Sequence, residues 1–465
     1  MKIQFLGAAE NVTGSRFYVE HGKARILIDA GLYQERDLQA RNWEEFPVNP
    51  QSIQALVLTH AHIDHCGYIP RLVKEGFRGK IYCTGPTAEI AKISLLDSAK
   101  LQEHDVEYKL RRHKREGRKG PHPLQPLYTV DDVGKVTRLF RKVRYEEEIG
   151  VAEGLRAVFY DAGHILGSAM VELHFQDDGV ERTCIFSGDI GRCRRPLLAD
   201  PHLFEKADAV VMEATYGNRL HEREGPAVEK LVRVINMTKE RGGNVVIPSF
   251  AINRTQEILY YLSRLIDDNR IPHLMTFVDS PMAAEVTEIY EMYPDIVDEE
   301  AKEIFRKDDT LFDYPLLKMT KSAAESKAIN HVKGSVIIIA GSGMCTGGRI
   351  KHHLIENITR PESTILFVGY QAAGTLGRVI LERPEEVRIH GQTYPVRAAI
   401  EKINGFSAHA DRDELLAWLT HIKQKPRKVF IVHSEKEAAH DFAALVKERY
   451  IPDVIVPRYL ESFEV

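Results

Sequence analysis

Apolar positions near the start of the chain fall in short runs that end at turns, which is typical of β-strands. Residues 2–6, 16–20 and 24–29 predict three strands, and His21-Gly22 predicts the turn between the last two. A fourth run, at 56–59, is β-branched and precedes a histidine-rich segment. The chain is therefore predicted to begin with a sheet.

Strand and helix patterns then alternate, as in an α/β sandwich. Helical periodicity dominates residues 87–142, and strand patterns return at 157–160 and 183–186. This part of the chain is predicted to add helices and further strands to the first sheet.

A second α/β pattern starts after about residue 216. It predicts one helix over 228–239 and continuous apolar strands at 244–248, 335–340 and 364–368. Continuous apolar strands indicate a mostly parallel sheet that is covered on both faces. The tail from about residue 395 returns to the pattern of the first region, which favours a domain inserted into another.

Composition narrows the class of protein. With 465 residues the chain is long for one core, so two or more domains are expected. The net charge of −4 means that any nucleic-acid binding must use a local basic patch. No apolar run approaches the roughly 18 residues of a membrane span, and the N-terminus lacks the apolar core of a signal peptide. The five cysteines are scattered, which fits reduced thiols in the cytoplasm.

Residues 109–119, with the sequence KLRRHKREGRK, form a basic stretch. Such a run is typical of a solvated helix face or loop. It also has the composition of a surface that contacts phosphates. Both interpretations stay open from the sequence.

Four side chains of metal-ligating type, His60, His62, Asp64 and His65, lie within six residues directly after the strand at 56–59. A strand end delivers such side chains to one point at a sheet edge. His60 and His62 can face one ion, and Asp64 and His65 a second. Nitrogen and carboxylate ligands suit zinc, and the lack of cysteine in the cluster argues against a closed structural site.

A two-metal site needs one further terminal ligand for each ion and a bridging carboxylate. His164 lies in a glycine-flanked loop, and Asp189 and His433 each follow an apolar strand. An isolated loop histidine is usually structural, but the joint placement of these three residues at strand ends favours a metal site.

The order of these motifs resembles that of the metallo-β-lactamase superfamily. The resemblance implies an α/β fold, an αβ/βα sandwich with zinc at the sheet edges, and two Zn²⁺ ions per chain. It also implies the ligands: His60, His62 and His164 for one zinc, Asp64, His65 and His433 for the other, and Asp189 as the bridge. Asp29 corresponds to the residue that orients these ligands by hydrogen bonds.

Further segments resemble the β-CASP nucleases of that superfamily, among them the endonuclease subunit of the cleavage and polyadenylation specificity factor and its prokaryotic homologues. The match runs along essentially the whole chain. Its segments are VMEATYG at 211–217 (motif A), PSFA at 248–251, VDSPMA at 278–283, GMCTGGR at 343–349, GYQAAGTLGR at 369–378, GFSAHAD at 405–411 (motif B) and the strand before His433 (motif C). Ala214 and Gly341 are minor departures, since neither replaces a metal ligand or the motif A acid.

The resemblance also implies where the domains divide. Residues 1–208 and 392–465 are expected to form the metallo-β-lactamase domain, and residues 209–391 an inserted β-CASP domain.

The activity implied by the resemblance is that of a zinc-dependent ribonuclease on single-stranded RNA, endonucleolytic and also compatible with exonuclease action. Members that act on RNA usually carry histidine in motif C, as here at His433, whereas the DNA-repair branch usually carries valine. His409 is the expected general acid, oriented and kept protonated by Glu213, beside the ligand Asp64. The expected products carry a 3′-hydroxyl and a 5′-phosphate.

Other assignments are weaker in the sequence. Ser249, Ser342 and Arg349 lie in glycine-rich or turn segments that either contact RNA phosphates or are plain turns. Tyr370 either stacks on a base or packs in a turn. A homodimer is expected only by analogy, because homodimers are common in the family.

Two other functions compete with the ribonuclease. A small-molecule hydrolase, such as a thioesterase or lactonase, would use the same zinc fold but has no need of an insertion with motifs A and B. A non-catalytic subunit of an RNA-processing complex would usually have lost metal ligands, and here all are present.

Overall fold

The structure is a computed structural model that describes residues 1–117, 124–221, 224–308, 310–312, 314–372 and 374–465. Residues 118 and 119 of the basic stretch lie outside this part. The chain divides into two compact units. The first unit comprises Met1–Arg194, Ala199–Leu220 and His409–Val465, and the second comprises Arg195–Leu198 and His221–Ala408.

The strands of the described residues, in chain order, are β1 Lys2–Phe5, β2 Phe17–His21, β3 Ala24–Ile28, β4 Ala55–Val57, β5 Lys80–Thr84, β6 Phe140–Val143, β7 Glu148–Ala152, β8 Leu155–Asp161, β9 Ala169–Asp177, β10 Val180–Phe186, β11 Ala209–Glu213, β12 Val245–Pro248, β13 Met275–Asp279, β14 Leu317–Met319, β15 Val336–Ala340, β16 Thr364–Phe367, β17 Glu386–Ile389, β18 Gln392–Pro395, β19 Ala399–Lys402, β20 Lys428–Val432, β21 Val454–Ile455 and β22 Ser462–Glu464.

The α-helices are α1 Ile63–Cys66, α2 Ile69–Lys74, α3 Gly85–Glu116, α4 Val130–Val136, α5 Glu224–Glu240, α6 Arg254–Asp267, α7 Pro281–Met292, α8 Glu299–Asp308, α9 Ala323–Ala328, α10 Ile350–Asn357, α11 Leu376–Leu381, α12 Arg412–Thr420 and α13 Lys436–Arg449. Short 3-10 helices lie at Gln39–Asn42, Pro50–Ser52, Pro294–Ile296 and Ile329–His331. No helix in the described ranges combines the length and apolar character that crossing a bilayer requires.

Two seven-stranded sheets form the first unit, in the orders β22-β1-β2-β3-β4-β5-β6 and β21-β20-β11-β10-β9-β8-β7. Buried side chains of both sheets, such as Phe5 and Phe159, form the core between them. A second core, which includes Trp418 and Phe442, packs α12 and α13 against the outer face of the second sheet. The helix α3 packs on β5 and β6 of the first sheet. These layers confirm the predicted αβ/βα sandwich.

The second unit is built on a six-stranded sheet in the order β14-β13-β15-β12-β16-β19, and every neighbouring pair is parallel. Its central strands, such as β15, are almost wholly buried, because helices cover the sheet and the apolar runs face other residues on both sides. The edge strands β14 and β19 are largely half-buried. The prediction of a covered parallel sheet therefore holds.

The compact units divide at other positions than the expected 209 and 391. The strand β11 starts at Ala209 but pairs with β10 and β20, so it belongs to the first unit. The strand β19 pairs with β16 and belongs to the second. The predicted helical region 87–142 likewise ends in a strand, β6. These boundaries depend on pairing between strands that are distant in the sequence. The local pattern of residues does not show which strands pair.

Candidate metal centre

The histidine-rich segment leaves the end of β4 and turns at once into a short helix. His60 follows the strand, His62 lies at the N-cap of α1, and Asp64 and His65 lie within α1. The helix is too short to carry the ligands away from the strand end, so all four side chains stay at one edge of the sheet. His164 follows β8, Asp189 follows β10 and His433 follows β20.

The first group of ligand atoms comprises His60, His62, His164 and Asp189. His62 Nδ1 lies 3.1 Å from His60 Nε2 and 3.2 Å from His164 Nε2. Asp189 Oδ2 lies 3.3 Å from His60 Nε2 and 3.4 Å from His164 Nε2. Four potential ligand atoms, carried by the segments that follow β4, β8 and β10, thus surround one point.

The second group comprises Asp64, His65 and His433. His433 Nε2 lies 3.4 Å from Asp64 Oδ2, and His65 Nε2 lies 3.2 Å from Asp189 Oδ1. The two oxygens of Asp189 therefore face different groups. The structure brings all seven expected ligands together, in the grouping that the sequence predicted.

The donor set fits a pair of zinc ions. Two ligands of a tetrahedral zinc, each at about 2.0–2.1 Å, lie about 3.3 Å apart, which is the spacing found within the first group. Asp189 Oδ1 and His433 Nε2 are buried and have no hydrogen-bond partner of good geometry in the described part of the chain. Burial lowers the pKa of His60 to about 3 and that of His62 to about 4, so both rings are neutral and carry a lone pair for a metal.

Three neighbours hold the histidine rings from behind. Asp29 Oδ2 lies 2.7 Å from His65 Nδ1, as expected for a residue that orients a ligand. The hydroxyl of Thr59 donates to the same carboxylate and lies 3.1 Å from His60 Nδ1.

The hydroxyl of Thr215 lies 2.9 Å from His433 Nδ1. Sequence reasoning singled out neither threonine. The available signal was position, because Thr59 directly precedes His60 and Thr215 lies two residues after Glu213.

His409 and Glu213 form a pair beside the first group. Glu213 is fully buried at the end of β11, and its Oε1 lies 3.0 Å from His409 Nδ1 and accepts the Ile190 amide at 2.7 Å. Burial alone would lower the pKa of His409. The negative charge of Glu213, with smaller contributions from Asp189 and Asp64, outweighs burial and raises this pKa to about 9. The imidazole is therefore held as a cation that can give up a proton.

The three expected phosphate contacts lie in the second unit, at the carboxyl edge of its sheet. The Ser249 hydroxyl is buried and bonded to Phe250 and Thr255, and the Arg349 guanidinium donates to Asp279 at 2.6 Å. Ser342 is partly exposed, and its hydroxyl accepts the Gly347 amide at 3.3 Å. Ser249 and Arg349 thus already have internal partners. Tyr370 is exposed.

Three family models match the chain. Residues 18–198 match a metallo-beta-lactamase superfamily domain, residues 255–380 a Beta-Casp domain, and residues 393–457 a Zn-dependent metallo-hydrolase RNA specificity domain.

Curated relatives match over nearly the whole chain. Ribonuclease TTHA0252 of Thermus thermophilus is 37% identical over 94% of each chain. Transcription termination factor FttA of Methanocaldococcus jannaschii is 31% identical over 100% of this chain and 72% of its own length. A solved structure of a protein of unknown function from Enterococcus faecalis has a TM-score of 0.56 at 14% identity, over 99% of each chain, which is a likeness in fold alone.

Proposed function

Because this chain belongs to the β-CASP family of metal-dependent hydrolases with the metallo-β-lactamase fold, we propose that it is a zinc-dependent ribonuclease that hydrolyses phosphodiester bonds of single-stranded RNA. One observation carries the proposal: two groups of ligand atoms share Asp189, and a histidine, His409, lies beside them with its Nδ1 3.0 Å from the buried carboxylate of Glu213. A water nucleophile and a proton donor are the two parts that phosphodiester hydrolysis needs.

Zinc, when bound, supplies Lewis acidity toward phosphate oxygens and lowers the pKa of water so that hydroxide exists near neutral pH. His60, His62 and His164 would hold one ion, Asp64, His65 and His433 the other, with Asp189 between them. His409 donates its proton to the leaving 3′-oxygen, and Glu213 orients the ring and stabilises its protonated form, so that the ring takes up a proton from solvent water after each turnover. The products would carry a 3′-hydroxyl and a 5′-phosphate.

RNA is the proposed substrate for three reasons. The relative that is 37% identical is named a ribonuclease, and residues 393–457 match an RNA specificity domain. The histidine of motif C, His433, is the residue that RNA-acting members carry at that place. We propose endonucleolytic cleavage, accompanied by exonuclease action on the ends it creates.

Of the three expected phosphate contacts, Ser342 keeps that role in the proposal, because its loop is partly exposed. Ser249 and Arg349 are proposed to support this loop edge from within, since their polar atoms bond inside the unit. A cytoplasmic location and a homodimer complete the proposal. The location is supported by the free thiols of Cys66, Cys83, Cys184, Cys193 and Cys345.

The test uses RNA and DNA oligonucleotides of the same sequence, labelled at either end, with zinc-loaded protein and with chelator. We expect cleavage of RNA only, lost with chelator and restored by zinc. If zinc-loaded protein leaves the RNA intact, the proposal is wrong. Equal rates on RNA and DNA would remove the argument from His433, and hydrolysis of a thioester or lactone without RNA cleavage would favour the small-molecule hydrolase.

A further inference from the structure

The last third of α3 lies in solvent. The buried residues of this helix end at Ala99, although the helix continues to Glu116. Residues 107–117, which we name the basic arm, are all exposed except His113, which is half-buried. The helix ends cleanly at Gly117, whose φ of 63° gives the left-handed cap that glycine adopts easily. An exposed helical extension of this length needs a reason other than the hydrophobic core.

The charge of the basic arm is strongly positive. It carries five cations, at Lys109, Arg111, Arg112, Lys114 and Arg115, against two acids, Glu107 and Glu116. Both acids are already paired, with Glu107 at 3.2 Å from Arg111 and Glu116 at 2.9 Å from Arg112.

Lys109, Lys114 and Arg115 form no ion pair with any residue that the structure describes. Cations in the last turn also suit the helix dipole, but Lys109 and Arg111 precede that turn. The i,i+4 ion pairs of Arg111 and Arg112 also stabilise the helix, which leaves Lys109 as the cation of the arm that neither the dipole nor an ion pair explains.

An exposed aromatic ring shares a face with these cations. Tyr108 is 60% exposed, and Arg111, Arg112 and Arg115 follow it at spacings of three, four and seven residues, which puts them on one side of the helix. A cationic surface with an exposed aromatic ring is the combination that binds the backbone and bases of single-stranded nucleic acid.

The other end of α3 is fixed at the metal centre. The hydroxyls of Thr84, which caps the helix, and of Thr87 both donate to the carbonyl of Gly167, at 2.6 and 2.7 Å, in the loop that carries His164. At 1.5 Å per residue, Lys109 lies about 36 Å further along the helix axis. That length corresponds to roughly ten stacked nucleotides at 3.4 Å each.

We propose that the basic arm is a second RNA-contacting surface, which binds the phosphates and one stacked base of a single strand roughly ten nucleotides from the metal centre. The proposal rests on the proposed ribonuclease function. Its consequence is that RNA long enough to reach the arm binds more tightly than RNA that fills the metal centre alone.

The test compares a triple variant, Lys109→Gln, Lys114→Gln and Arg115→Gln, with a matched control, Lys23→Gln, Lys74→Gln and Lys80→Gln. The control residues are exposed and belong to the same unit. Lys23 precedes β3 and Lys80 opens β5, so both lie at the edge opposite the ligands, toward which α3 also runs. The control therefore removes the same charge from that side of the unit without changing the arm.

Binding of RNAs of about 30 and about 6 nucleotides is measured by fluorescence anisotropy at several salt concentrations, in a His409→Ala background that keeps the RNA intact. The arm variant is expected to bind the long RNA about tenfold more weakly, with a slope of log K against log salt that is less steep by about 2, and the short RNA unchanged. A separate Tyr108→Ala variant should weaken long-RNA binding without changing the slope, since stacking releases no counterions.

Unchanged affinity of the arm variant for the long RNA overturns the proposal, as does an equal loss in the control. A loss of dimer in sedimentation, with RNA affinity unchanged, would make a second copy of the chain the occupant and also overturns it. These binding measurements do not depend on turnover. Failure of the wild type to cleave RNA would therefore count against the proposed function and leave the test of the arm intact.

Discussion

At the scale of single residues, the geometry of the metal centre depends on side chains that are not ligands themselves but hold the histidine ligands in place. Asp29 and Thr215 each hold the Nδ1 side of a histidine whose Nε2 faces the centre. A ring fixed in this way presents its lone pair in one direction, and the tautomer is set by the partner behind it. The threonine hydroxyl is the weaker of the two anchors and the easier one to remove without burying a charge.

Replacing Thr215 with valine is expected to lower metal affinity about 10–100-fold, because His433 loses the group that orients it. Thr215→Ser keeps the hydroxyl and is expected to bind metal like the wild type. Competition with a chromogenic chelator measures the affinity. Equal weakening in both variants would assign the effect to packing of the threonine methyl group.

Replacing His409 with alanine is expected to lower RNA cleavage by about 10²–10⁴-fold, because a proton donor is lost. Metal content is expected to stay unchanged, because no ligand is lost. Metal content is measured by atomic emission and cleavage with end-labelled RNA. Glu213→Gln is expected to lower the rate as well, since the amide no longer stabilises the cation of His409. Loss of metal from the His409→Ala variant would show that His409 is a ligand.

At the scale of elements, the loop that carries His164 and the start of α3 are packed too closely for a side chain between them. A Cβ on Gly167 would lie 2.8 Å from Thr84, Pro86 and Thr87, and its φ of +81° also disfavours other residues. Gly179, in the turn between β9 and β10, has a similar φ of +77° but no described atom within 4 Å of such a Cβ. The two glycines therefore separate steric clash from backbone strain.

Gly167→Ala is expected to lower the free energy of unfolding by about 3 kcal/mol, from backbone strain and overpacking together, and to reduce metal occupancy. Gly179→Ala is expected to cost only the strain, about 1–2 kcal/mol, and to leave the metal in place. Denaturant unfolding and metal analysis measure the two effects. If both variants keep full metal, the contact with α3 does not position His164.

The elements that the sequence predicted best are those whose cause is local. The histidine-rich segment after β4 and the apolar strand β15 are both visible as patterns of neighbouring residues; the structure confirms the strand and places the side chains of that segment at one edge of the sheet. The membership of β11 in the first unit and the contact of Thr215 with His433 both depend on partners far away in the chain. A pattern of ten or twenty neighbouring residues contains no information about such distant partners.

The bonding of Arg349 shows the same limit. Arginine in a glycine-rich turn predicts either a phosphate contact or a plain turn, and the structure adds a partner that the pattern does not contain, Asp279, 70 residues earlier in the chain. Only the parallel pairing of β13 with β15 brings the two loops to one edge. An arginine at this position indicates a negatively charged partner. The sequence pattern does not show whether that partner is a phosphate or a carboxylate of the chain.

At the scale of the whole molecule, each unit has its own core, and Asp279 stabilises the second. Although burial would raise its pKa, hydrogen bonds from His353, Ser326, Thr320 and Arg349 hold the pKa of Asp279 well below its usual value. Because the unfolded carboxyl titrates near pH 3.9, this stabilisation is complete above about pH 4 and is lost as the pH falls toward the folded pKa.

Asp279→Asn is therefore expected to lower the free energy of unfolding of the second unit by about 3 kcal/mol at pH 7, since the carboxylate that pairs with Arg349 is lost and an amide nitrogen faces buried donors. The difference from the wild type should shrink below about pH 4. Calorimetry across pH measures both. Metal content, which depends on the first unit, is expected to stay unchanged, and a loss of metal would contradict the assignment of this cluster to the second unit alone.

The division of the first unit along the chain also has a consequence in time. Its last ligand, His433, and the strand that carries it follow the whole of the second unit, whose main segment, His221–Ala408, is roughly 190 residues long. At about 5–20 residues per second, the ribosome needs on the order of 10–40 s to make that stretch. Throughout this interval the growing chain carries six of the seven ligands on one continuous segment and still lacks the one that closes the second group. A truncated protein made from a damaged mRNA therefore lacks the complete second group and is expected to have no nuclease activity.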